Sequence, residues 1–244
     1  MRKPQVVAHR GSSARHADNS WPAFEAAVRE GADAIECDVQ ATREGVIVVR
    51  HDLAVDDRLV ADLYLAELEA RAPGTVVLAD LLAFSERAPI DLLVEIKDPN
   101  AAEAVAKMIA ASPRPERIVV GSFHGPALSA VKAATPNVQT SFMMGSVAGP
   151  EELIRLAAAF RADGVHLCWE TRAAQPHRLL DRTAIDRLRR AGLAITLWHE
   201  EREDELRAMV ALEPHAICTN TPALLRRIID GHATKRVAQE MTRE

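Results

Sequence analysis

Short β-forming runs alternate with longer amphipathic segments along almost all of this 244-residue chain, and this alternation constrains the fold more than any other feature. Segments between the β-forming runs carry apolar residues at i, i+3 and i+4, as in Ala101–Ala111 and Leu206–Leu212. Strands joined by crossover helices pair in parallel, so the pattern predicts an α/β fold. The predicted strands are Gln5–Arg10, Ala34–Gln40, Val46–Asp52, Asp91–Lys97, Arg117–Phe123, Val138–Met144, Asp163–Trp169, Ala194–His199 and His215–Asn220.

The number of strand–helix units distinguishes a closed barrel from an open sheet. We count about eight units, with Val46–Asp52 as an additional hairpin-like strand, and eight units in about 200–250 residues are typical of a TIM barrel. A doubly wound open sheet usually has G-x-G-x-x-G after its first strand, and the chain lacks this pattern. We therefore predict a (β/α)₈ TIM barrel in a single domain over residues 1–244, with about 235–244 forming a surface or frayed tail.

Composition and charge exclude several classes of protein. Apolar residues make up 48% of the chain, which is enough for a large core, and the net charge of −5 provides no general attraction for nucleic acids or anionic lipids. No apolar run approaches the roughly 18 residues of a membrane span, and Gln5–Ala8 is too short for a signal-peptide core. We expect a cytoplasmic protein with no nucleic-acid partner and no stable membrane insertion. The oligomeric state is not predicted.

The three cysteines, Cys37, Cys168 and Cys218, are odd in number and far apart in the sequence. They fit neither a disulfide framework nor a C-x-x-C metal site. We expect buried free thiols.

Ionisable residues are concentrated at the ends of the first predicted strands, where the reactive groups of TIM barrels lie. These residues are His9, Arg10, Glu36, Asp38, His51, Asp52, Glu95 and Lys97. Because strand side chains alternate between faces, Glu36 and Asp38 share one face of their strand. Acidic pairs inside a barrel are costly unless a cation compensates their charge.

Three carboxylates at one barrel mouth, those of Glu36, Asp38 and Glu95, predict a divalent cation held by oxygen ligands. Mg²⁺ and Ca²⁺ prefer such ligands, whereas Zn²⁺ more often recruits histidine or cysteine. Arg10 and Lys97 would offset the remaining negative charge or bind an anionic substrate. Histidines at two separate strand ends offer a general acid and a general base. This combination fits phosphate-ester chemistry.

The motifs, in this order and spacing, resemble those of the glycerophosphodiester phosphodiesterase family. The first half of the chain carries the most specific ones, and weaker matches continue from Ser122-Phe123 to Pro222, so the resemblance covers nearly the whole sequence. The specific motifs are His9-Arg10-Gly11, Glu36-x-Asp38, His51-Asp52 and Glu95-Ile96-Lys97.

The resemblance implies a TIM barrel that cleaves a glycerophosphodiester to sn-glycerol 3-phosphate and an alcohol. It implies His9 and His51 as the acid–base pair. It implies Arg10 and Lys97 as phosphate-binding residues, and one divalent cation, Mg²⁺ or Ca²⁺, held by the three carboxylates. Trp198 is predicted either to form an apolar wall for the substrate or to belong to the core.

The chain departs from the family pattern at the rim of the expected site. Asp18 stands where the family usually has glutamate, and the segment from Leu53 to Thr75, which would cover the site, is short. The usual Trp-Thr-x-Asn reads Trp198-His199-Glu200-Glu201, and the usual Thr-Asp reads Thr219-Asn220. The predicted catalytic set is intact, so the pattern predicts the reaction and leaves the alcohol head group open.

Two alternatives remain at this stage. One is a phosphodiesterase for a larger diester such as a lysophospholipid, which an exposed apolar patch beside the mouth would favour. The other is a non-catalytic binding module on the same barrel, which the intact set of histidines and acids disfavours. Among the other polar residues, His166 could line the mouth and His124 could touch substrate or lie on the surface. Ser20 fits as the N-cap of the next helix, and Asp52 is expected to be structural.

Overall fold

Eight parallel strands close into a barrel in the structure, a computed structural model that describes residues 3–241. Their order around the barrel is β1-β12-β11-β10-β9-β8-β7-β2, and pairing of β1 with β2 completes the ring. The barrel strands are β1 (Gln5–His9), β2 (Ala34–Ala41), β7 (Asp91–Ile96), β8 (Ile118–Ser122), β9 (Gln139–Met144), β10 (Gly164–Cys168), β11 (Ala194–Trp198) and β12 (Ala216–Thr219). The predicted TIM barrel is confirmed.

Helices alternate with the barrel strands along the chain. They are α1 (Trp21–Arg29), α2 (Leu65–Arg71), α3 (Leu78–Arg87), α4 (Ala102–Ala110), α5 (Gly125–Ala134), α6 (Pro150–Ala159), α7 (Arg182–Arg190), α8 (Glu203–Ala211) and α9 (Pro222–Met241). Ser20 caps α1 as predicted, since its hydroxyl accepts the backbone N–H of Ala23. Of the predicted tail, residues 242–244 lie outside the described part of the chain.

Two apolar clusters occupy the two faces of the barrel wall. The larger one packs the outward residues of the strands, such as Ile35 and Val39 of β2, against the helices. The smaller one consists of inward residues, among them Ala34, Leu93 and Trp198. Alternation along β2 therefore turns Glu36 and Asp38 into the barrel, on the same face as Ala34.

A cover segment interrupts the strand–helix alternation between β2 and β7. It contains the short strands β3 (Ile47–Val49), β4 (Ala54–Val55), β5 (Arg58–Leu59) and β6 (Val76–Val77), together with α2. Strand β3 runs antiparallel to β2 and also pairs with β6. The segment has its own small apolar cluster, formed by Val48, Val55, Val60, Leu63 and Leu68.

The predicted strand Val46–Asp52 was too long at its C-terminal end. Ladder pairing with β2 ends at Val49, opposite Val39. One further backbone bond, from the Arg50 N–H to the Asp38 carbonyl, follows, and the chain then turns away from the sheet. His51 and Asp52 therefore lie in the loop after β3, beside the barrel mouth.

All three cysteines are buried and free, as predicted. Within residues 3–241, no helix combines the length and apolarity that a membrane crossing requires. The cytoplasmic location and the single-domain organisation stay predictions from the sequence.

Candidate active site

The three predicted carboxylates meet inside the barrel near its C-terminal end. Glu36 and Asp38 come from β2 and Glu95 from β7, and the register of these two strands pairs Asp38 directly with Glu95. One oxygen from each of the three side chains can be chosen so that all lie within 4.8 Å of one another. All three side chains are buried.

The charge of this cluster is only partly compensated by the protein. Oε1 of Glu36, Oδ1 of Asp38 and Oε2 of Glu95 are buried and have no hydrogen-bond partner among the described residues. Burial, followed by the charges of Asp38 and Glu95, raises the pKa of Glu36 well above its usual value. Burial and Asp38 raise the pKa of Glu95 to about 7, although Lys97 opposes the shift. A hard divalent cation fits this set of oxygens because it supplies the missing charge and partners.

Both predicted phosphate-binding cations contact the carboxylates. Nζ of Lys97 lies 2.8 Å from Oε1 of Glu95 and 3.5 Å from Oδ1 of Asp38. Nε of Arg10 lies 3.1 Å from Oδ2 of Asp38, and its Nη1 donates to Oδ2 of Asp18 at 3.0 Å. Burial lowers the pKa of each cation, but the neighbouring carboxylates outweigh burial and the net shift is upward. Arg10 and Lys97 are therefore charged and held at the cluster.

His9 is buried beside the acidic cluster, with its free nitrogen turned towards it. Its Nδ1 lies 2.7 Å from Oδ1 of Asn220, and that oxygen also accepts the hydroxyl of Ser13. The Nδ1 therefore donates, and Nε2 carries the lone pair. Within the described part of the chain, Nε2 has no hydrogen-bond partner, and it lies 4.0 Å from Oε2 of Glu36. Burial, then the charges of Arg10 and His199, lowers the pKa of His9 well below its usual value. Its neutral ring is ready to accept a proton.

Aromatic rings form the wall next to His9. The Trp198 ring makes an edge contact with His9 at a centroid distance of 5.1 Å, and it also contacts Phe123 at 5.9 Å. His199 stacks on the other side of His9 at 4.7 Å, with 17° between the planes. Trp198 is itself buried, so it belongs both to the core and to the wall.

His166 does not reach the rim of the mouth. It is fully buried inside the barrel, at a centroid distance of 5.0 Å from Trp198, and burial lowers its pKa to about 3. His124 is exposed. Neither histidine joins the carboxylate cluster.

His51 lies apart from this group. Its side chain is 38% exposed, and its Nδ1 lies 2.9 Å from Oδ1 of Asp52, so Asp52 contacts the histidine. His51 lines a cavity of about 270 Å³ together with Asp18 and Asn19. The same two residues contact the site, because Asp18 holds Arg10 and the Asn19 amide donates to Asp38. The structure brings His51 next to the site through these neighbours.

Asn19 and Asn220 are hydrogen-bond partners in the site that the sequence motifs did not predict. Asn19 has a φ of 53° and binds Asp38 through its side-chain amide, at 2.9 Å. Asn19 directly follows Asp18, which the sequence places at the rim of the site, and this position was a signal for such a contact. Asn220 was noted only as a departure from the family pattern.

The comparison with known families decides the relationship. A model of the Glycerophosphoryl diester phosphodiesterase family matches residues 9–224. The chain belongs to this family. The glycerophosphodiester phosphodiesterase resemblance seen in the motifs is thereby confirmed, and so is the assignment of the chain to the enzymes.

Similar proteins of the glycerophosphodiester phosphodiesterase family match this chain over nearly its whole length. The glycerophosphodiester phosphodiesterase of Caldanaerobacter subterraneus subsp. tengcongensis is 27% identical over 250 residues, spanning 93% of this chain and 98% of the relative. A glycerophosphoryl diester phosphodiesterase structure from Agrobacterium tumefaciens has a TM-score of 0.81 at 20% identity, covering 96% of this chain and 100% of its own. An Oleispira antarctica phosphodiesterase, solved with its product sn-glycerol-3-phosphate, has a TM-score of 0.76 at 20% identity and covers 93% and 97%. These two structures show the same fold.

Proposed function

We propose that this chain is a metal-dependent phosphodiesterase that hydrolyses glycerophosphodiesters to sn-glycerol 3-phosphate and an alcohol. Glu36, Asp38 and Glu95 would hold one divalent cation, Mg²⁺ or Ca²⁺. His9 and His51 would transfer protons to and from the attacking and leaving oxygens. The substrate is a small diester, which is consistent with the product bound by the Oleispira antarctica relative.

One observation supports this proposal above the others. Three buried carboxylates each have one oxygen within 4.8 Å of the others, and each has one oxygen without a hydrogen-bond partner among the described residues. The unprotonated nitrogen of His9 lies 4.0 Å from one of these carboxylates. The raised pKa values of Glu36 and Glu95 beside a neutral histidine are typical of a catalytic site rather than of a barrel used only for binding. Three carboxylates and one divalent cation leave about one negative charge, which Arg10 and Lys97 more than offset. The site then suits an anionic diester.

The protein groups divide the reaction between them. Arg10 and Lys97 bind the phosphoryl oxygens and stabilise the negative charge that grows in the transition state. His9 accepts a proton at Nε2, and the resulting imidazolium keeps its hydrogen bond from Nδ1–H to Asn220. His51, whose ring contacts Asp52, transfers the proton at the other of the two oxygens, attacking or leaving, that His9 does not serve as base. When bound, the cation supplies Lewis-acid charge to a phosphoryl oxygen. Attack by water and attack by the neighbouring glycerol hydroxyl use the same protein groups.

The test is release of sn-glycerol 3-phosphate from glycerophosphocholine and glycerophosphoethanolamine in Mg²⁺, in Ca²⁺ and in EDTA. We expect release with one or both metals and none in EDTA. Glu95→Gln should abolish release, whereas Glu116→Gln, at an exposed site outside the cluster, should not change it. Full activity in EDTA would remove the metal from the proposal, and no release by a folded, metal-bound chain would remove the substrate.

A second candidate substrate is a lysophospholipid, and one observation favours it. Large exposed apolar side chains lie in the cover segment and after two barrel strands, namely Leu53, Leu59, Tyr64, Phe123 and Val147. Exposed apolar surface of this kind at the side of a site can accept an acyl chain. Choline release from lysophosphatidylcholine at rates near those for glycerophosphocholine would establish this substrate. Release from glycerophosphocholine alone would exclude it.

A further inference from the structure

His199 and Glu201 form a hydrogen-bonded pair at the mouth of the barrel, where the family pattern has threonine and asparagine. Nδ1 of His199 lies 3.0 Å from Oε1 of Glu201. The same oxygen accepts the backbone N–H of Asn220, the residue whose side chain holds His9. The pair is thus built into the network that orients His9.

The remaining nitrogen of His199 is available to a ligand. Since a carboxylate accepts only, Nδ1 of His199 must carry a proton, and Nε2 has no hydrogen-bond partner among the described residues. The side chain is 26% exposed, so its ring is reached from solvent while it stacks on His9.

The charges around His199 favour its protonated form. Burial lowers the pKa of His199, but the hydrogen bond to Glu201 and the charges of Glu201 and Glu170 outweigh burial, so the net shift is upward. Arg10 opposes the shift, and His9 is neutral. A protonated ring at this place presents Nε2–H to the mouth as a charged donor.

We propose that His199 is a further substrate-binding residue of this site, donating a hydrogen bond from Nε2–H to an oxygen of the phosphodiester, with Glu201 as its positioning residue. The inference rests on the proposed function and extends it. Arg10 and Lys97 share their donors between the carboxylates and the phosphate, whereas Nε2–H of His199 has no hydrogen-bond partner among the described residues. The pair therefore adds one free cationic donor to the mouth that a threonine could not provide.

Binding can be tested without turnover. In protein labelled with ¹⁵N-histidine, sn-glycerol 3-phosphate in the presence of Mg²⁺ should shift the Nε2 resonance of His199, assigned by its loss in His199→Thr. It should also raise the pKa read from that resonance, since a phosphate oxygen favours the charged ring. Calorimetry on the same samples measures whether the product binds. An unchanged His199 resonance in protein that binds the product would overturn the inference.

Kinetics give the second test. His199→Thr, which restores the family residue, should lower kcat/KM for glycerophosphoethanolamine by about 10- to 100-fold, the loss expected for a charged hydrogen bond. His199→Gln keeps an N–H donor and should recover part of this loss. His199→Gln should also remove the fall of kcat/KM at high pH that deprotonation of His199 produces. Glu201→Gln should move that fall to lower pH, because it removes the carboxylate that raises the pKa of His199.

His177 provides the matched control. Its Nδ1 lies 2.7 Å from Oε2 of Glu205, which is the same kind of contact, and neither residue belongs to the carboxylate cluster. His177→Gln should leave kcat/KM and the pH profile unchanged. Equal losses in His177→Gln and His199→Gln, or wild-type kcat/KM in His199→Thr, would contradict the role of His199. A wild-type chain that neither turns over the diester nor binds the product would refute the proposed function itself, and the inference with it.

Discussion

Replacement of Gly11 by alanine tests whether the loop after β1 depends on close packing against α1. Gly11 has a φ of +85°, a region that costs an L-residue about 1–2 kcal/mol. A Cβ at this position would also lie 2.6 Å from the carbonyl carbon of Ala23, 2.7 Å from its Cβ and 2.8 Å from its oxygen. That oxygen accepts the N–H of Ser12, so any shift of Ala23 also strains this bond.

Two costs add at this position. Crowding against backbone, which cannot rotate away, typically costs about 1–3 kcal/mol. With the backbone term, Gly11→Ala should lower the free energy of unfolding by roughly 2–5 kcal/mol. Gly45 separates the two terms, since its φ is +84° and nothing lies within 4 Å of the corresponding Cβ. Gly45→Ala should therefore cost only about 1–2 kcal/mol.

The assay is urea unfolding of both variants and the wild type in EDTA, followed by far-ultraviolet circular dichroism. Activity with metal is measured in parallel, because the preceding residue, Arg10, donates its backbone N–H to Oε2 of Glu36. We expect the larger loss of stability, and the only loss of activity, in Gly11→Ala. Equal destabilisation by the two substitutions would refute the packing argument and leave only the backbone term.

Three further predictions concern the titratable groups. His9→Ala and His51→Ala should each lower kcat by about 10²–10⁴-fold with little change in the urea midpoint, and near wild-type turnover in either variant would remove that histidine from the mechanism. Because the pKa of Glu95 is raised to about 7 and the cation binds the deprotonated form, metal affinity should fall with falling pH, by at least about 25-fold between pH 7.5 and 5.5. Calorimetric titration of Mg²⁺ or Ca²⁺ at both pH values measures this, and equal affinities would contradict the raised pKa. His166→Leu should stabilise the fold at pH 7 by about 1–3 kcal/mol in urea unfolding, since both ring nitrogens of the buried, neutral His166 have no hydrogen-bond partner among the described residues. A loss of stability would contradict this prediction.

The sequence predicted the barrel well because each strand–helix unit carries its own local pattern. All eight barrel strands coincide with predicted runs, to within one residue at every end. The cover segment was harder, since strands β4 and β5 have only two residues each and α2 has seven. Val55 of β4 and Leu68 of α2 pack in the cluster around Val48, and elements this short have no periodicity of their own.

In the candidate site, too, some features could be predicted from the sequence and others could not. Alternation along β2 and β7 was enough to place the carboxylates together, because strand pairing converts spacing into position. The partners of His9 could not be found by spacing, since Asn220 is 211 residues away in sequence. Only closure of the barrel, through the pairing of β1 with β12, brings them together. The stacking of His199 on His9 depends on the same closure.

Ile47, Val49 and Val76 of the cover segment belong to the larger cluster of the barrel wall, and the rest of the segment packs in a small apolar cluster of its own. Its interior consists of five side chains, of which only Val48 lies on the strand that pairs with β2. A unit with so few internal contacts opens at a lower free energy than the barrel does. Amide hydrogens of the cover would then exchange in a faster class than those of the barrel strands. We therefore expect the residues around this small cluster to open more readily than the barrel, while the carboxylates of β2 and β7 stay in register.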